Sequence, residues 1–235
     1  MEPLAKAERL SRWIDAGGKR HPILEDLNFV IPRGSLFVIN GPSGSGKSTL
    51  LNLLTGVDRP SSGGILFSHE RMPDKGENAL AQWRGRTFGI VFQSFQLIPT
   101  LSALDNVILA LELGKGHFLR KHWASRALEC LAQFDVADLA HRLPRQMSGG
   151  QQQRVAIARA MANDPPIVVA DEPTGNLDTT AASGVIEALR GLVARGKTVV
   201  LVTHDADIAR RGTAGIDLMD GRIVGRRLAP AFVAA

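Results

Sequence analysis

Cysteine, tyrosine and long apolar runs are what this 235-residue chain has least of. Its one cysteine, Cys130, excludes an internal disulfide scaffold and favours a reducing compartment. No segment reaches the roughly 18–20 consecutive apolar residues that a membrane span needs. The polar N-terminal segment also lacks the apolar stretch of a signal peptide. Work at a membrane is therefore expected to require docking on another subunit.

The overall composition is that of a folded protein with a sizeable core. Hydrophobic residues make up 44% of the chain and charged residues 22%, with a mean hydropathy of +0.01, which excludes a wholly disordered chain. The formal net charge is +5 at pH 7. Such a charge suits an anionic partner (a nucleotide, a nucleic acid or a membrane face) but does not choose among them.

Short apolar runs alternate with helical patterns along most of the chain. Strands are predicted at residues 23–24, 27–31, 35–40, 65–67, 88–92, 167–170 and 198–202, and on either side of the turn residues Asp220 and Gly221. Helices are predicted at residues 47–56, 152–162 and 181–194. Residues 100–160 have helical spacing throughout, so the pattern predicts a mostly parallel α/β core with a helical insertion.

A glycine-rich loop carries the strongest motif of the sequence. Residues 41–48 match G-x-x-x-x-G-K-[ST] between a predicted strand and a predicted helix. Successive N–H groups of such a loop surround an anion at the positive end of the helix. Lys47 can reach the β- and γ-phosphates, and the Ser48 hydroxyl can ligate Mg²⁺. The predicted nucleotide ligands are Gly41, Pro42, Ser43, Gly44, Ser45, Gly46, Lys47, Ser48 and Thr49.

Two carboxylates end the apolar run at residues 167–170. In open α/β sheets, the carboxyl ends of the strands bind the ligands. Asp171 is predicted to hold Mg²⁺ through water, and Glu172 to act as the general base on the attacking water. A strand that merely ends at an exposed acidic turn would show the same pair. The phosphate loop upstream favours the catalytic interpretation.

A second glycine-rich helix start lies at residues 148–151. A capping box between Ser148 and Gln151 explains two of the four residues. It does not explain Gly149 and Gly150, since each glycine weakens a helix by about 1 kcal/mol relative to alanine. Exposed N–H groups at such a start bind anions. We expect both roles at once, with the phosphate belonging to a nucleotide held by another copy of the domain.

With Met147 in front, these residues read M-S-G-G-Q and resemble the LSGGQ signature of the ABC ATPases, with a volume-conserving Met in place of Leu. The order of motifs over about residues 10–225 is also similar to that family: phosphate loop, Gln93, signature, Asp171, Glu172, Asp178, His204. The resemblance implies a P-loop ATPase core with a mostly parallel sheet, an N-terminal antiparallel β subdomain and an inserted α-helical subdomain. It further implies one domain over residues 1–235, with the core and β subdomain at 1–92 and 161–227, the helical subdomain at 93–160 and a tail at 228–235.

The same resemblance assigns roles to single residues. Gln93 would link the γ-phosphate and Mg²⁺ to the helical subdomain, with Gln96 as the nearby alternative. Asp178 matches the aspartate of the loop that crosses the dimer interface. His204 matches the switch histidine that contacts the γ-phosphate, although a lone histidine is usually structural. In the family, an aromatic residue upstream of the phosphate loop, most often tyrosine, stacks on the adenine. This sequence has no tyrosine, and Trp13 stands near that place. Trp13 could stack on the base or could pack within the N-terminal β layer, and both alternatives stay open.

The implied activity is hydrolysis of ATP, with Mg²⁺, by a head-to-tail homodimer that serves a membrane permease from the cytoplasmic face of the cell membrane, without nucleic acid. Residues 41–54, 92–107 and 170–178 resemble the bacterial subgroup of lipoprotein-releasing, macrolide-exporting and cell-division ATPases. That subgroup implies export or transmembrane force transmission. The alternatives are a signalling module whose membrane partner regulates a periplasmic enzyme, and a soluble ABC ATPase. A P-loop kinase would share only residues 41–48.

Overall fold

The computed structural model describes residues 3–68, 72, 76–114 and 118–228. The chain divides into two compact units, one made of residues 1–76 and 198–235 and the other of residues 77–197. The subdomain boundaries expected at residues 92–93 and 160–161 stay a prediction. Apart from the backbone of residue 228, the expected tail lies outside the described residues.

The described helices and strands follow one another along the chain in a mixed α/β order. They are β1 (Pro3–Ala16), β2 (Lys19–Pro32), β3 (Leu36–Asn40), α1 (Lys47–Leu54), β4 (Ser62–Phe67), α2 (Glu77–Thr87), β5 (Phe88–Val91), α3 (Ala103–Leu113), α4 (Trp123–Ala132), α5 (Gly149–Ala160), β6 (Ile167–Asp171), α6 (Thr179–Ala194), β7 (Thr198–Thr203), α7 (Ala206–Arg210), β8 (Ala214–Met219) and β9 (Arg222–Leu228). Single 3₁₀ turns lie at Arg120–His122, Ala137–Leu139 and Pro144–Gln146.

The first unit contains two kinds of sheet. Strands β2, β1 and β4 form an antiparallel sheet, and β3 pairs in parallel with β7 on one side and β8 on the other. Strand β9 returns antiparallel to β8. All six residues of β7 are buried, as is usual for a β-branched run in a sheet covered on both faces. Phe29 and Phe37 stack with ring centroids 5.9 Å apart and join the antiparallel sheet to β3.

The second unit places helices around the parallel pair β5 and β6. Helix α4 buries Ala127, Cys130 and Leu131, and α5 buries Gln153 together with residues 155–158. The antiparallel β1–β2–β4 sheet, the parallel pairs of both units and the helical stretch after residue 100 confirm the predicted fold class.

Several local differences separate the predicted elements from the observed ones, since neither strand β1 nor the short helix α7 was predicted. Helix α2 was not predicted, because only Leu80, Trp83 and Thr87 of its eleven residues are buried, so its apolar periodicity is weak. Helix α5 begins at Gly149 and not at residue 152, because Ser148 caps it and both glycines take part in the first turn.

Candidate nucleotide-binding site

The glycine-rich loop lies between β3 and α1 and leaves no room for larger side chains at two positions. A Cβ at Gly41 would lie 2.1 Å from the carbonyl oxygen of Leu218, and one at Gly46 would lie 2.6 Å from Leu24 Cδ2. Gly46 has a φ of 98°, in the left-handed region that favours glycine. The loop is therefore fixed by contacts with β2 and β8 of the same unit.

Helix α1 begins without a side-chain cap. Its N-cap is Gly46, which accepts no hydrogen bond through a side chain, whereas Ser102, Ser148 and Asp178 cap α3, α5 and α6 through their side-chain oxygens. No side chain therefore caps the first turn of α1, in which Ser48 lies. A phosphate is the natural acceptor at the positive end of a helix.

Lys47 lies against the loop that precedes it. Its side chain is buried, and Nζ donates to the carbonyl oxygens of Gly41 and Pro42, each at 2.8 Å. The ammonium group is therefore held above the phosphate loop. Charge and position suit the oxygens of a β- or γ-phosphate.

His204 directly follows β7, and the register of β7 with β3 pairs Thr203 with Asn40. His204 is exposed at the same strand edge at which the phosphate loop begins. The following residue, Asp205, caps α7 by accepting from the backbone N–H groups of Asp207 and Ile208. The sequence thus brings His204 and the loop to one edge of the first unit.

Trp13 lies in β1 and is half-buried. Its backbone N–H donates to Ser61 Oγ at 3.2 Å, and the guanidinium carbon of Arg20 lies 5.0 Å from the centre of its ring. A cation over an indole face is a favourable contact. The indole thus has one cationic neighbour, and both interpretations of Trp13 stay predictions.

Gln93, Asp171 and Glu172 lie at one edge of the second unit. Strands β5 and β6 are parallel with Val91 opposite Ala170, so the residues that follow both strands come to the same edge. Asn176 Nδ2 donates to the carbonyl oxygen of Gln93 at 3.1 Å. Gln96, the alternative, is exposed, and its amide donates to Ser94 Oγ.

Glu172 has an unusual backbone. Its φ is 47°, which places a non-glycine residue in the left-handed region, and such conformations cluster at functional sites. Its carbonyl oxygen accepts from the N–H of Gly175 at 3.1 Å, which closes a tight turn directly after β6. The chain therefore turns away from the line of β6 at Glu172, the predicted general base.

The predicted signature residues form the start of α5. Ser148 Oγ accepts from the N–H of Gln151 at 3.3 Å, and Gln151 Oε1 accepts from the N–H of Ser148 at 2.9 Å, so the capping box is present. A Cβ at Gly149 would lie 3.1 Å from Leu177 Cδ2, and one at Gly150 would lie 3.0 Å from Ala181 Cβ. Close packing on residues 177–181 accounts for part of the need for glycine.

Asp178 is the N-cap of α6 and accepts from the N–H of Ala181 at 2.9 Å. Its structural role is therefore clear. The dimer-interface role that the resemblance implies for Asp178 stays a prediction, as does anion binding by residues 148–151.

Two residues of the second unit were missed by sequence reasoning. Gln153 is fully buried, and the half-buried Arg159 reaches the carbonyl oxygens of Phe95 and Gln96. Burial lowers the pKa of Arg159 from its ordinary value. No local signal marked Gln153, which stands in the polar run of residues 151–154 of the sequence.

The oxygen donors suit a magnesium ion that arrives with a nucleotide. The predicted ligands Ser48, Gln93 and Asp171 offer a hydroxyl, an amide and one carboxylate. In the described part of the chain, no group of three or more His, Cys, Asp and Glu side chains converges on a metal site. Mg²⁺ in nucleotide enzymes is usually held by one or two carboxylates, water and the substrate's phosphates, so these residue types fit, and their convergence on one ion stays a prediction.

These features define a P-loop nucleotide-binding protein, and comparison with known proteins gives its family. Residues 24–175 match the family model described as "ABC transporter". The chain is 46% identical over 211 residues to an uncharacterized ABC transporter ATP-binding protein of Thermotoga maritima, covering 90% of this chain and 89% of the relative. The chain belongs to the ABC transporter family and is an ATP-binding, ATP-hydrolysing member of it.

Two further relatives place the chain within that family. It is 44% identical over 230 residues to the macrolide export ATP-binding/permease protein MacB of Burkholderia thailandensis, covering 97% of this chain but only 35% of MacB. The dimeric, post-hydrolysis structure of the ATP-binding cassette MJ0796 of Methanocaldococcus jannaschii, bound to ADP and Pi, is 40% identical with a TM-score of 0.85. That match covers 95% of this chain and 98% of the MJ0796 chain. No helix in the described residues is long and apolar enough to cross a bilayer.

Proposed function

We propose that this ATPase works as a head-to-tail homodimer that powers a separate membrane permease in export or transmembrane force transmission. The observation that carries the proposal is the pair of helix starts. Helix α1 begins at Lys47 without a side-chain cap, and α5 begins with two glycines and a capping box. Each ATP would be held by residues 41–49 of one copy and residues 148–151 of the other. The dimeric MJ0796 structure, which is bound to ADP and Pi, supports a dimer.

The residues divide the chemistry of ATP cleavage among them. Lys47 stabilises negative charge on the β- and γ-phosphates, and His204 does so on the γ-phosphate. Glu172 accepts the proton of the attacking water. Ser48, Gln93 and Asp171 would hold Mg²⁺, which neutralises phosphate charge when bound. Loss of the γ-phosphate removes the group that both copies contact, so the dimer then opens.

A groove in the second unit supports docking of a permease. It has a volume of about 470 Å³ and is lined by residues of α2, α3, α5 and the segment after β5. Phe92 and Leu113 line it and are 40% and 72% exposed, and Arg84 and Arg159 add positive charge. Exposed apolar side chains beside arginines fit a short amphipathic helix with acidic residues. We propose that such a helix of the permease binds here, at the cytoplasmic face of the membrane.

The testing experiment uses Glu172→Gln protein with ATP and Mg²⁺. We expect a dimer by light scattering, with turnover reduced by about 10²- to 10⁴-fold, the usual contribution of a general base. Affinity purification from mild detergent should then recover a permease with a large extracytoplasmic domain. An intact ATP-bound dimer that recovers no membrane protein would contradict the permease and favour a soluble ATPase. A partner that activates a periplasmic enzyme and moves no substrate would favour the signalling module.

A further inference from the structure

The side chain of Gln153 connects three segments of the second unit. It lies in α5, is 0% exposed, and its Nε2 donates to the carbonyl oxygens of Phe92 at 3.3 Å and Pro173 at 2.8 Å. Both acceptors are carbonyls, so the amide must present its NH₂ group to them. Its Oε1 is buried and accepts no hydrogen bond from the described residues.

Each of these carbonyls adjoins a predicted site residue. Phe92 directly precedes Gln93, and Pro173 directly follows Glu172. The Phe92 carbonyl belongs to the peptide group that joins Phe92 to Gln93, and the Pro173 carbonyl belongs to the next peptide group after the one that joins Glu172 to Pro173. Because the two N–H groups sit on a single planar amide, a movement of α5 would displace both carbonyls together.

A second contact makes α5 hold the segment after β5 at two points. Arg159 donates to the carbonyl oxygens of Phe95, at 3.0 Å, and Gln96. Phe95 and Gln96 have φ values of 58° and 52°, and two consecutive non-glycine residues in the left-handed region persist only where surrounding contacts hold them. The segment that carries Gln93 is thus positioned largely by α5.

We propose that Gln153 is a positioning residue that links the two ATP sites of the dimer. The inference rests on the proposed function, in which residues 148–151 bind the nucleotide held by the partner copy. Gln153 lies two residues after that helix start, on the same rigid helix. Engagement of the partner's ATP therefore sets the positions of Gln93 and Glu172, which act on the chain's own ATP. The link makes hydrolysis at one site depend on occupancy of the other.

The test compares two substitutions at adjacent positions of α5. Gln153→Met keeps the volume of the side chain and removes both donated bonds. Arg154→Met is the matched control, because Arg154 also makes two bonds, to Phe134 and Asp135, and neither reaches a predicted site segment. Each full-length variant is measured for ATP affinity, for kcat against ATP concentration and for melting temperature.

We expect Gln153→Met to change the rate of ATP turnover and to leave ATP binding unchanged. Gln153→Met should keep ATP affinity, lower kcat by about 10- to 100-fold because the reacting groups are misplaced, and reduce the Hill coefficient from about two toward one. Arg154→Met should keep both parameters even if its melting temperature falls as far. Unchanged kcat and Hill coefficient in folded Gln153→Met would overturn the inference and leave the proposed function standing. A Glu172→Gln protein that stays monomeric with ATP and Mg²⁺ would instead overturn the proposed function, and the inference with it.

Hydrogen exchange gives a second measurement that does not depend on the folding of Gln153→Met. The Glu172→Gln chain is compared with the same chain carrying Ser148→Arg, which blocks the proposed contact with the partner's nucleotide. We expect ATP and Mg²⁺ to slow exchange at residues 92–96 and 174–176 only when Ser148 is intact. Equal slowing in both proteins would show that the segment responds to its own nucleotide alone and would overturn the inference.

Discussion

The side chain of Gln93 packs against the backbone of Gly175. A Cβ at position 175 would lie 2.5 Å from Gln93 Nε2 and 3.2 Å from its Cδ. Gly175 is not in the left-handed region, so its backbone alone does not require glycine. Space for Gln93 is therefore the reason that the turn after Glu172 carries a glycine here.

Gly175→Ala should lower ATPase activity without unfolding the protein. The added methyl group meets the flexible end of Gln93, which moves aside, so kcat is expected to fall by about 10- to 100-fold and the free energy of unfolding to change by less than about 1 kcal/mol. Steady-state ATPase assays and urea unfolding measure the two effects. Gly191→Ala is the control, since Gly191 lies in α6 with nothing near its Cβ and the change should stabilise by about 0.5–1 kcal/mol. Full ATPase activity of the Gly175→Ala protein would show that the position of the Gln93 side chain does not affect catalysis.

Lys47→Ala should weaken nucleotide binding by about 10- to 100-fold, because bonds to a charged group are worth roughly 1.5–3 kcal/mol. Titration with a fluorescent ATP analogue gives the dissociation constant. Lys197→Ala serves as the control, since that ammonium group pairs with Asp164, 2.7 Å away, and belongs to no predicted ligand set. Equal affinity of the Lys47→Ala and wild-type proteins would remove Lys47 from the phosphate site.

Trp13→Ala should weaken ATP binding by about tenfold, the lower end of what one aromatic–base stack contributes. Calorimetric titration with ATP measures the loss, and a parallel titration with inorganic triphosphate, which has no base, should show none. The neighbouring Ile14 is 50% exposed, so Ile14→Ala tests for general damage to β1. A lower melting temperature with unchanged ATP affinity would assign Trp13 to packing.

Cys130 predicts a pH dependence of stability. Burial raises the pKa of its thiol from 9.0 to about 11, so the folded chain keeps a proton that the unfolded chain loses. The extra stability is complete below pH 9 and is lost as the pH rises from 9 toward 11, by at most about 1.4 kcal/mol per pH unit. The chain has no tyrosine to titrate in the same range. Urea unfolding at pH 8, 9 and 10 should show a steeper loss in wild type than in Cys130→Ala. Parallel losses would show that the thiol does not contribute.

Local signals were enough to predict the phosphate loop motif, the carboxylates at the end of β6 and the capping box of Ser148 and Gln151, because each lies within a few residues of sequence. The buried role of Gln153 could not be predicted in this way. Its two acceptors, in Phe92 and Pro173, are 61 and 20 residues away and are brought to it only by tertiary packing. Helix α2 was not predicted because its local apolar pattern is weak. Its buried Trp83 packs on Phe88, which lies just beyond the helix.

The mutual hydrogen bonds of Ser148 and Gln151 also bear on how readily a dimer can come apart. Both side chains already have partners in the single chain. A phosphate that arrives at this helix start would exchange one acceptor for another, and such exchanges leave only a small net gain per bond. In the proposed dimer, departure of the phosphate would therefore leave Ser148 and Gln151 with the partners that they have in the single chain.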